Sequence, residues 1–318
     1  MRACEARRAG TPSLHSGARA IGSCSSHFKL QADRAAMAAE ESLVSTAVEH
    51  SEPFSHELPP LPDGTALDVA PLPPAASCDD VCLGGRVWVA APALCGWMSS
   101  VAEQFAQTAC LELGAGTGAC GLYAAGLGAS RVVLTDGGPS EAPLLQLMAD
   151  NAERNRARLP AGSRVEVASL TWGCEPAALP AGPFDWVLGS DVTWGSDHDN
   201  HASLCTTLRA LLQRDQPRRP RVALAMEHGL PVPAAEADGT YRDETLEQVR
   251  EAAAACGLRV VPLAQRGPLT DEFCDLRWPA SAFSAFTERT TSDVFIVEVV
   301  LEQASLAGDR SHGDVIDI

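Results

Sequence analysis

The residues best suited to ligand chemistry lie in a glycine-rich segment, LELGAGTGACG, at residues 111–121. Three of its glycines, Gly114, Gly116 and Gly118, fall between an apolar strand pattern and a helical pattern. In such a loop the first glycine makes a tight turn and the second removes a side chain from the ligand's path. The third lets the helix pack closely on the strand. The segment therefore predicts that an adenosine cofactor approaches the backbone here.

An acidic residue follows the loop at the spacing expected for a ribose contact. Asp136 ends the next predicted strand, roughly 20 residues after Gly114, where a carboxylate can accept hydrogen bonds from both ribose hydroxyls. The pattern leaves two cofactors open, because Gly114-x-Gly116-x-x-Ala119 also satisfies the fingerprint of dinucleotide-binding folds.

Glu112 favours S-adenosylmethionine over a dinucleotide. It stands immediately before the loop, where a carboxylate suits a cationic ammonium or sulfonium. A pyrophosphate binds better at a helix N-terminus that is free of acid. The loop also follows a predicted helix that could form a lid. An NAD-dependent oxidoreductase stays the alternative for this loop.

Strand and helix patterns alternate along the chain around this loop. Short apolar segments predict strands, and longer amphipathic segments predict the helices between them. The predicted strands are ACLEL (109–113), RVVLTD (131–136), RVEVASL (164–170), FDWVLGSD (184–191), RVALAMEH (221–228), LRVVPLA (258–264) and SDVFIVEVVLEQ (292–303). This alternation is typical of an α/β protein with a doubly wound, seven-stranded, mainly parallel sheet. A helix is expected within 87–105, and an irregular insertion at 265–291.

Composition divides the chain into a leader (1–36), a Pro-rich and partly disordered arm (37–82), a globular domain (83–303) and a disordered tail (304–318). An early hairpin is expected around 65–72 within the arm. The leader is rich in Arg, Ser and Ala and poor in acid, which resembles an organellar transit peptide. The alternative to a transit peptide is a disordered or untranslated leader, with translation starting at Met37. We expect a cytoplasmic protein, or an organellar one if the leader is a transit peptide.

The charge of the chain argues against two classes of partner. A net charge of −17 repels phosphate backbones and anionic membranes, so we expect neither nucleic acid nor membrane as a partner. The 11 cysteines include no CxxC pair, which favours reduced thiols over disulfides or a zinc site. GSDHDNH (195–201) carries Asp197, His198, Asp199 and His201, but its acidic residues suit helix capping, and we expect no metal.

Taken together, these segments resemble a known family. LELGAGTGACG, with VWVAAPALCGWM upstream and LTWG and FDWVLGSDVTW downstream, is similar to the seven-strand S-adenosylmethionine-dependent protein-lysine methyltransferases of the methyltransferase-like class. The resemblance covers residues 83–300. Its most specific part is the combination of Val-Trp, Leu-Thr-Trp-Gly and Gly-Ser-Asp-x-x-aromatic. It implies a Rossmann-like methyltransferase fold whose last strand is antiparallel.

The resemblance also implies a cofactor site. The residues that it implies are Trp88, Gly114, Ala115, Gly116, Asp136, Trp172 and Ser190, and Glu112 joins this predicted site on the charge argument given above. Asp136 would bind the ribose, Trp172 would flank the adenine, and Ser190 would lie near the sulfonium. The chemistry agrees, since an indole stacked on an aromatic face gains about 0.5–1.5 kcal/mol beyond area burial. A tryptophan at the carboxyl edge of a parallel sheet also lies where such ligands bind.

Asp191 and Trp194 are the expected catalytic residues. Methyl transfer from a sulfonium is an in-line displacement that needs a neutral amine about 3 Å from the methyl carbon. A carboxylate at Asp191 can accept the amine's N–H bonds, and an aromatic wall at Trp194 can attract the developing cation. The family usually has Tyr at the position of Trp194, and Asp at the position of Val89.

The leading hypothesis is therefore a monomeric S-adenosylmethionine-dependent methyltransferase that modifies a lysine side chain of a protein substrate. The changes at Trp194 and Val89 keep a second hypothesis open, namely a non-catalytic methyltransferase-like protein that binds the cofactor. Glu227 and His228, at the end of the fifth predicted strand, are candidates for a substrate contact.

Overall fold

A computed structural model describes residues 55–73, 83–137, 141–193, 198–227, 229, 231–233, 240–264, 278–279 and 294–302. The helices of this part are α1 (Ala90–Ser100), α2 (Ala119–Gly126), α3 (Glu141–Asn155), α4 (His198–Gln213) and α5 (Glu244–Ala255). The strands are β1 (Ala109–Leu113), β2 (Arg131–Asp136), β3 (Arg164–Ser169), β4 (Trp186–Ser190), β5 (Arg221–Glu227), β6 (Pro231–Pro233), β7 (Thr240–Asp243), β8 (Leu258–Ala264), β9 (Trp278–Pro279) and β10 (Val294–Leu301). Short 3₁₀ turns cover Leu83–Gly85, Ala102–Gln104 and Pro176–Ala178.

Seven of the strands form one sheet in the order β3-β2-β1-β4-β5-β10-β8. The strands from β3 to β5 pair in parallel, whereas β10 pairs antiparallel with both β5 and β8. Each main strand lies within a segment predicted from its apolar residues. The prediction of a doubly wound, mainly parallel sheet with an antiparallel last strand is confirmed.

Helices cover both faces of this sheet, which explains why its central strands are almost continuously apolar. Successive residues of β2 point to opposite faces: Val132 and Leu134 join the core beneath α1, α2 and α3. Val133 joins the core beneath α4 and α5. The two cores hold the carboxyl ends of the parallel strands at one edge of the sheet. None of the described helices combines the length and apolarity that crossing a membrane requires.

Residues 55–73 belong to the same compact unit as the sheet. The hairpin predicted around 65–72 is wrong, since this stretch contains no strand. The physical reason is that the backbone amides of Asp68 and Ala70 donate hydrogen bonds to asparagine side chains of α3, and not to a second strand. A second, three-stranded sheet, β6-β7-β9, was not predicted. Apart from β9, the insertion predicted at 265–291 lies outside the described residues, as do the leader and the tail.

Candidate active site

The glycine-rich loop leaves β1 at the point where the order of the sheet reverses. β1 has β2 on one side and β4 on the other. In open α/β sheets, ligands bind in the crevice outside the carboxyl ends of strands at such a switch point. Four predicted residues lie at or shortly after the carboxyl ends of β1, β2, β3 and β4, beside this crevice. In that order, they are Gly114, Asp136, Trp172 and Asp191.

Gly116 lies under a turn of the protein itself. Its φ of +53° is in the left-handed region, and a Cβ added there would overlap the backbone carbonyl of Gly84. Gly84 belongs to the 3₁₀ turn that precedes α1. The sequence-based explanation, that Gly116 only clears a path for a ligand, is therefore incomplete. The absence of a side chain also lets the 83–85 turn pack on the loop.

Two glycines bring α2 against β2. A Cβ on Gly118 would lie 2.8 Å from Cδ1 of Leu134, and one on Gly121 would overlap Cδ2 of the same leucine. The predicted role of Gly118 in helix–strand packing is confirmed. Gly121 shares that role and was missed, although its spacing of three residues from Gly118 places both on one helix face.

Glu112 points beneath the loop and not toward solvent. Its side chain is 1% exposed, and Oε2 accepts a hydrogen bond of 2.8 Å from the amide of Gly121. Burial raises the pKa of Glu112 to about 8, although the amide of Gly121 acts in the opposite direction. This carboxyl group therefore caps the first turn of α2 across the loop. Its contact with a cofactor stays a prediction.

Asp136 is held at the edge of the crevice by two amides. Oδ2 accepts a hydrogen bond of 2.8 Å from Gly116, and Oδ1 accepts one of 2.8 Å from Gly137. Both oxygens of this carboxylate are thus oriented by backbone amides. The loop thus fixes the orientation of the residue predicted to bind ribose.

Trp172 lies against the same loop. Its Cζ2 is 3.1 Å from the position that a Cβ on Gly114 would occupy. The amide of Leu170 donates to the carbonyl of Asp136 at 2.8 Å, which ties the end of β3 to the end of β2. The indole is half-buried, and its adenine contact stays a prediction. Trp172 therefore contacts the loop at Gly114, two residues before the Gly116 amide that donates to Asp136.

Asp191 adopts an uncommon backbone conformation at the end of β4. Its φ is +53°, which Asp tolerates better than most residues, and such outliers cluster at functional sites. Its Oδ2 accepts a hydrogen bond of 3.3 Å from the amide of Ala90, the first residue of α1. Val89 occupies the N-cap position of that helix without a side-chain cap. Asp191 therefore supplies a carboxylate at the N-terminus of α1.

Trp88 and Ser190 lie close in sequence to the two residues of this contact, Ala90 and Asp191. Trp88 is two residues before Ala90, and its carbonyl accepts a hydrogen bond from Ala91 at 3.0 Å. The hydroxyl of Ser190 is 3.5 Å from Sγ of Cys120, in the first turn of α2. The ends of β1 and β4 and the starts of α1 and α2 thus meet at one place.

Several predicted residues cannot be placed in this geometry. Trp194, Asp197 and His228, and the side chains of His198 and Asp199, lie outside the described part of the structure. Nε2 of the buried His201 is 3.2 Å from the carbonyl of Thr193. Within the described ranges, no group of three or more His, Cys, Asp or Glu side chains could hold a metal ion.

Residues 76–228 match a family described as "Lysine methyltransferase". This part of the chain, just under half of its length, is similar to the lysine methyltransferase family. The matched stretch begins before the 83–85 turn and ends just after β5. It therefore includes the glycine-rich loop, Asp136, Trp172 and Asp191. Residues 55–73 and the strands from β6 to β10 lie outside it.

Curated relatives carry the same description in their names. EEF1A lysine methyltransferase 3 of Mus musculus is 37% identical over 113 residues, which are 35% of this chain and 44% of that protein. Protein N-lysine methyltransferase METTL21A of Danio rerio is 36% identical over 110 residues, with coverages of 34% and 47%. Calmodulin-lysine N-methyltransferase of Arabidopsis thaliana is 30% identical over 127 residues, with coverages of 40% and 40%. The chain spans less than half the length of each of these three.

Solved structures of methyltransferases are also similar to this chain. An S-adenosylmethionine-dependent methyltransferase from Clostridium acetobutylicum is 12% identical, with a TM-score of 0.41. The similarity covers 68% of this chain and 93% of that one. The strand order, and not this likeness, establishes the fold.

Proposed function

We propose that this protein is an S-adenosylmethionine-dependent methyltransferase that acts on a lysine side chain of a protein substrate. One observation carries the proposal: Gly114, Asp136, Trp172 and Asp191 converge at the carboxyl ends of four adjacent parallel strands. All four lie within the stretch that matches the lysine methyltransferase family. The names of the relatives support a protein-bound lysine as the acceptor.

The described side chains fit an adenosyl cofactor. The Asp136 carboxylate, fixed by the Gly116 and Gly137 amides, accepts the ribose hydroxyls. The half-buried indole of Trp172 covers one face of the adenine beside Gly114. When bound, S-adenosylmethionine supplies an electrophilic methyl group, and the protein supplies orientation.

The start of α2 argues against a dinucleotide. A pyrophosphate in such folds binds the free amides and positive dipole of a helix N-terminus. Here the Gly121 amide already bonds to Oε2 of Glu112, and a carboxyl group occupies the position beneath those amides. This arrangement leaves the first turn of α2 less suited to a diphosphate, and it favours S-adenosylmethionine over NAD.

Asp191 orients the acceptor amine in this proposal. It lies at the end of β4, one residue after Ser190, and it is held by the amide of Ala90. A carboxylate at this point accepts N–H bonds from a neutral lysine amine and aligns its lone pair for in-line attack. The bound cofactor would supply the methyl group and leave as the neutral thioether, and the methylated amine would release its extra proton to solvent. Trp194 provides the aromatic wall that the family resemblance implies.

The acidic chain suits a target lysine in a basic or neutral region of its substrate. With a net charge of −17, the protein attracts such a region and repels acidic surfaces. We propose a protein partner for this reason, and we keep the expectation that the enzyme acts as a cytoplasmic monomer.

Calorimetry with S-adenosylhomocysteine tests the cofactor part of the proposal. We expect the wild-type protein to bind it and Asp136→Ala to bind at least ten-fold more weakly, because hydrogen bonds to a charged group contribute about 1.5–3 kcal/mol. Asp215→Ala is the matched control, since Asp215 is exposed in the loop after α4, and it should bind like the wild type.

The same titration can contradict the proposal. Absence of binding by the folded wild-type protein, with Asp136→Ala no different, would exclude S-adenosylmethionine as the cofactor. If NAD raised the melting temperature and S-adenosylhomocysteine did not, the oxidoreductase alternative would replace it.

A further inference from the structure

We infer that residues 55–73, called here the N-terminal strap, hold the glycine-rich loop in its cofactor-binding shape through Asn151. Asn151 is then a positioning residue for cofactor binding, although it lies on α3. This inference rests on the proposed function, since it concerns the same cofactor site.

The strap contacts the elements that surround the loop. The amide of His56 donates to the carbonyl of Val87 at 3.0 Å, one residue before Trp88. The hydroxyl of Tyr123, on α2, donates to the carbonyl of Pro60 at 2.9 Å. Leu61 is buried in the same core as α2. The strap therefore packs on the start of α1 and along α2, on the side away from α4 and α5.

Two asparagines of α3 pair with the strap as a neighbouring strand would. Asn155 accepts from the amide of Asp68 at 2.8 Å and donates to its carbonyl at 2.9 Å. Asn151 does the same with Ala70, at 3.0 Å in both directions. Both asparagines are 0% exposed. The spacing fits, since four residues of helix rise about 6 Å and two residues of extended chain rise about 6.6 Å.

Of these two asparagines, only Asn151 also bonds to the glycine-rich loop. Its Nδ2 also donates to the carbonyl of Thr117 at 3.0 Å, in the middle of the glycine-rich loop. In a longer helix that carbonyl would accept from the amide of Gly121, four residues on. The Gly121 amide instead bonds to Glu112. Asn151 therefore supplies a donor to a buried carbonyl, and leaving such a group unpaired is unfavourable.

A second chain of contacts leads from the strap to Gly116. The amide of Leu72 donates to the carbonyl of Gly85 at 2.8 Å, and a Cβ on Gly85 would lie 2.7 Å from Cδ1 of Leu72. The adjacent Gly84 packs its carbonyl on Gly116. Gly116 in turn donates to Asp136. The strap thus supports the loop at two successive residues, one of which orients the ribose-binding carboxylate.

Asn151→Leu and Asn155→Leu form a matched pair that tests this inference. Both remove a buried carboxamide that bonds to the strap, but only Asn151 reaches Thr117. We expect both variants to lower the melting temperature. We expect Asn151→Leu to weaken S-adenosylhomocysteine binding about ten-fold, and Asn155→Leu to stay within about two-fold of the wild type.

Milder strap variants serve if the asparagine variants fail to fold. Leu72 and Leu67 are both half-buried strap leucines, but Leu72 packs on Gly85 while Leu67 packs on the core beneath α1, α2 and α3. Leu72→Ala should weaken S-adenosylhomocysteine binding about three-fold, whereas Leu67→Ala should lower only the melting temperature.

The outcomes separate this inference from the function on which it rests. Equal affinities in the two variants of either pair would show that the contacts to Thr117 or Gly85 do not shape the cofactor site, and they would contradict the inference alone. A folded wild-type protein that binds no S-adenosylhomocysteine would contradict the proposed function, and the inference with it.

Discussion

The carboxyl group of Glu112 lies in the interior, against the first turn of α2. Burial is the main reason why its pKa rises from 4.5 to about 8, with hydrogen bonds from the helix amides opposing the rise. Above pH 4.5 the unfolded chain releases this proton, whereas the folded protein retains it up to about pH 8. The folded state therefore binds more protons across that window, and it loses stability as the pH rises through it.

Glu112→Gln should remove this pH dependence, because glutamine can still accept the Gly121 hydrogen bond but does not titrate. Each unit of pKa difference is worth about 1.4 kcal/mol, so the wild-type free energy of unfolding should fall by several kcal/mol more than that of the variant between pH 5 and 8. Urea denaturation at a series of pH values measures both.

Glu166→Gln is the control for this experiment. A hydrogen bond from Arg131 lowers the pKa of Glu166, so its stabilising effect is present above its ordinary pKa and is lost as the pH falls. This variant should keep the loss of stability between pH 5 and 8. Parallel pH profiles for the wild type and Glu112→Gln would show that Glu112 titrates normally.

Pattern and chemistry predict those candidate site residues whose type is tied to a strand end. Asp136 and Trp172 end or follow apolar strands, and the structure places both beside the glycine-rich loop. The role of Asn151 could not be predicted, because it depends on which distant segment packs on α3. The hydrogen bond from the Gly121 amide to Glu112 was missed for a related reason. Sequence spacing does not tell which helix covers the face of the sheet to which a side chain points.

At the scale of elements, the loop between β1 and α2 is confined on two sides. The 83–85 turn packs on Gly116 from one side, and Asp136 accepts the Gly116 amide from the other. The carbonyl of Thr135 also accepts the amide of Ala115 at 2.9 Å. The shape of the loop is therefore set by its neighbours as well as by its own glycines.

Gly116→Ala should destabilise the protein more than Gly64→Ala. Both glycines have positive φ, at +53° and +88°, so both changes incur about 1–2 kcal/mol for a left-handed alanine. Only at Gly116 would the new Cβ overlap backbone, and that should add about 1–3 kcal/mol. Nothing lies within 4 Å of the corresponding position at Gly64.

Urea denaturation of the two glycine variants measures this difference. Equal losses in the free energy of unfolding would mean that the 83–85 turn moves away from the loop easily. The loop would then be shaped by its glycines alone, and its support by the turn would be refuted.

The main elements were predictable because the pattern of apolar residues within each segment indicates which of its side chains are buried. Apolar runs located the strands of the large sheet, and β1 and β2 match their predicted bounds. The hairpin near 65–72 was predicted wrongly, because backbone groups there pair with side chains of α3 and not with a second strand. The small β6-β7-β9 sheet was not predicted because its strands are two to four residues long and two of them, β6 and β9, contain proline.

At the scale of the whole molecule, the segment that is similar to the lysine methyltransferase family packs against parts of the chain that lie outside the match. The lysine methyltransferase match ends just after β5, yet the sheet continues through β10 and β8. On the other side of the match, the strap packs on α2 and α3. The segment that carries the proposed chemistry is thus supported from both ends of the described chain.

Transfer of labelled methyl groups tests the central claim most directly. The purified protein is incubated with radiolabelled S-adenosylmethionine and lysate from cells that lack it, and the modified residue is mapped by mass spectrometry. We predict label on a lysine of a protein substrate, with a rate at least ten-fold lower for Asp191→Asn, whose amide is a weaker acceptor for the amine. S-adenosylhomocysteine affinity should change little in that variant. A wild-type protein that binds S-adenosylhomocysteine but labels no protein would contradict the account and favour a non-catalytic cofactor-binding protein.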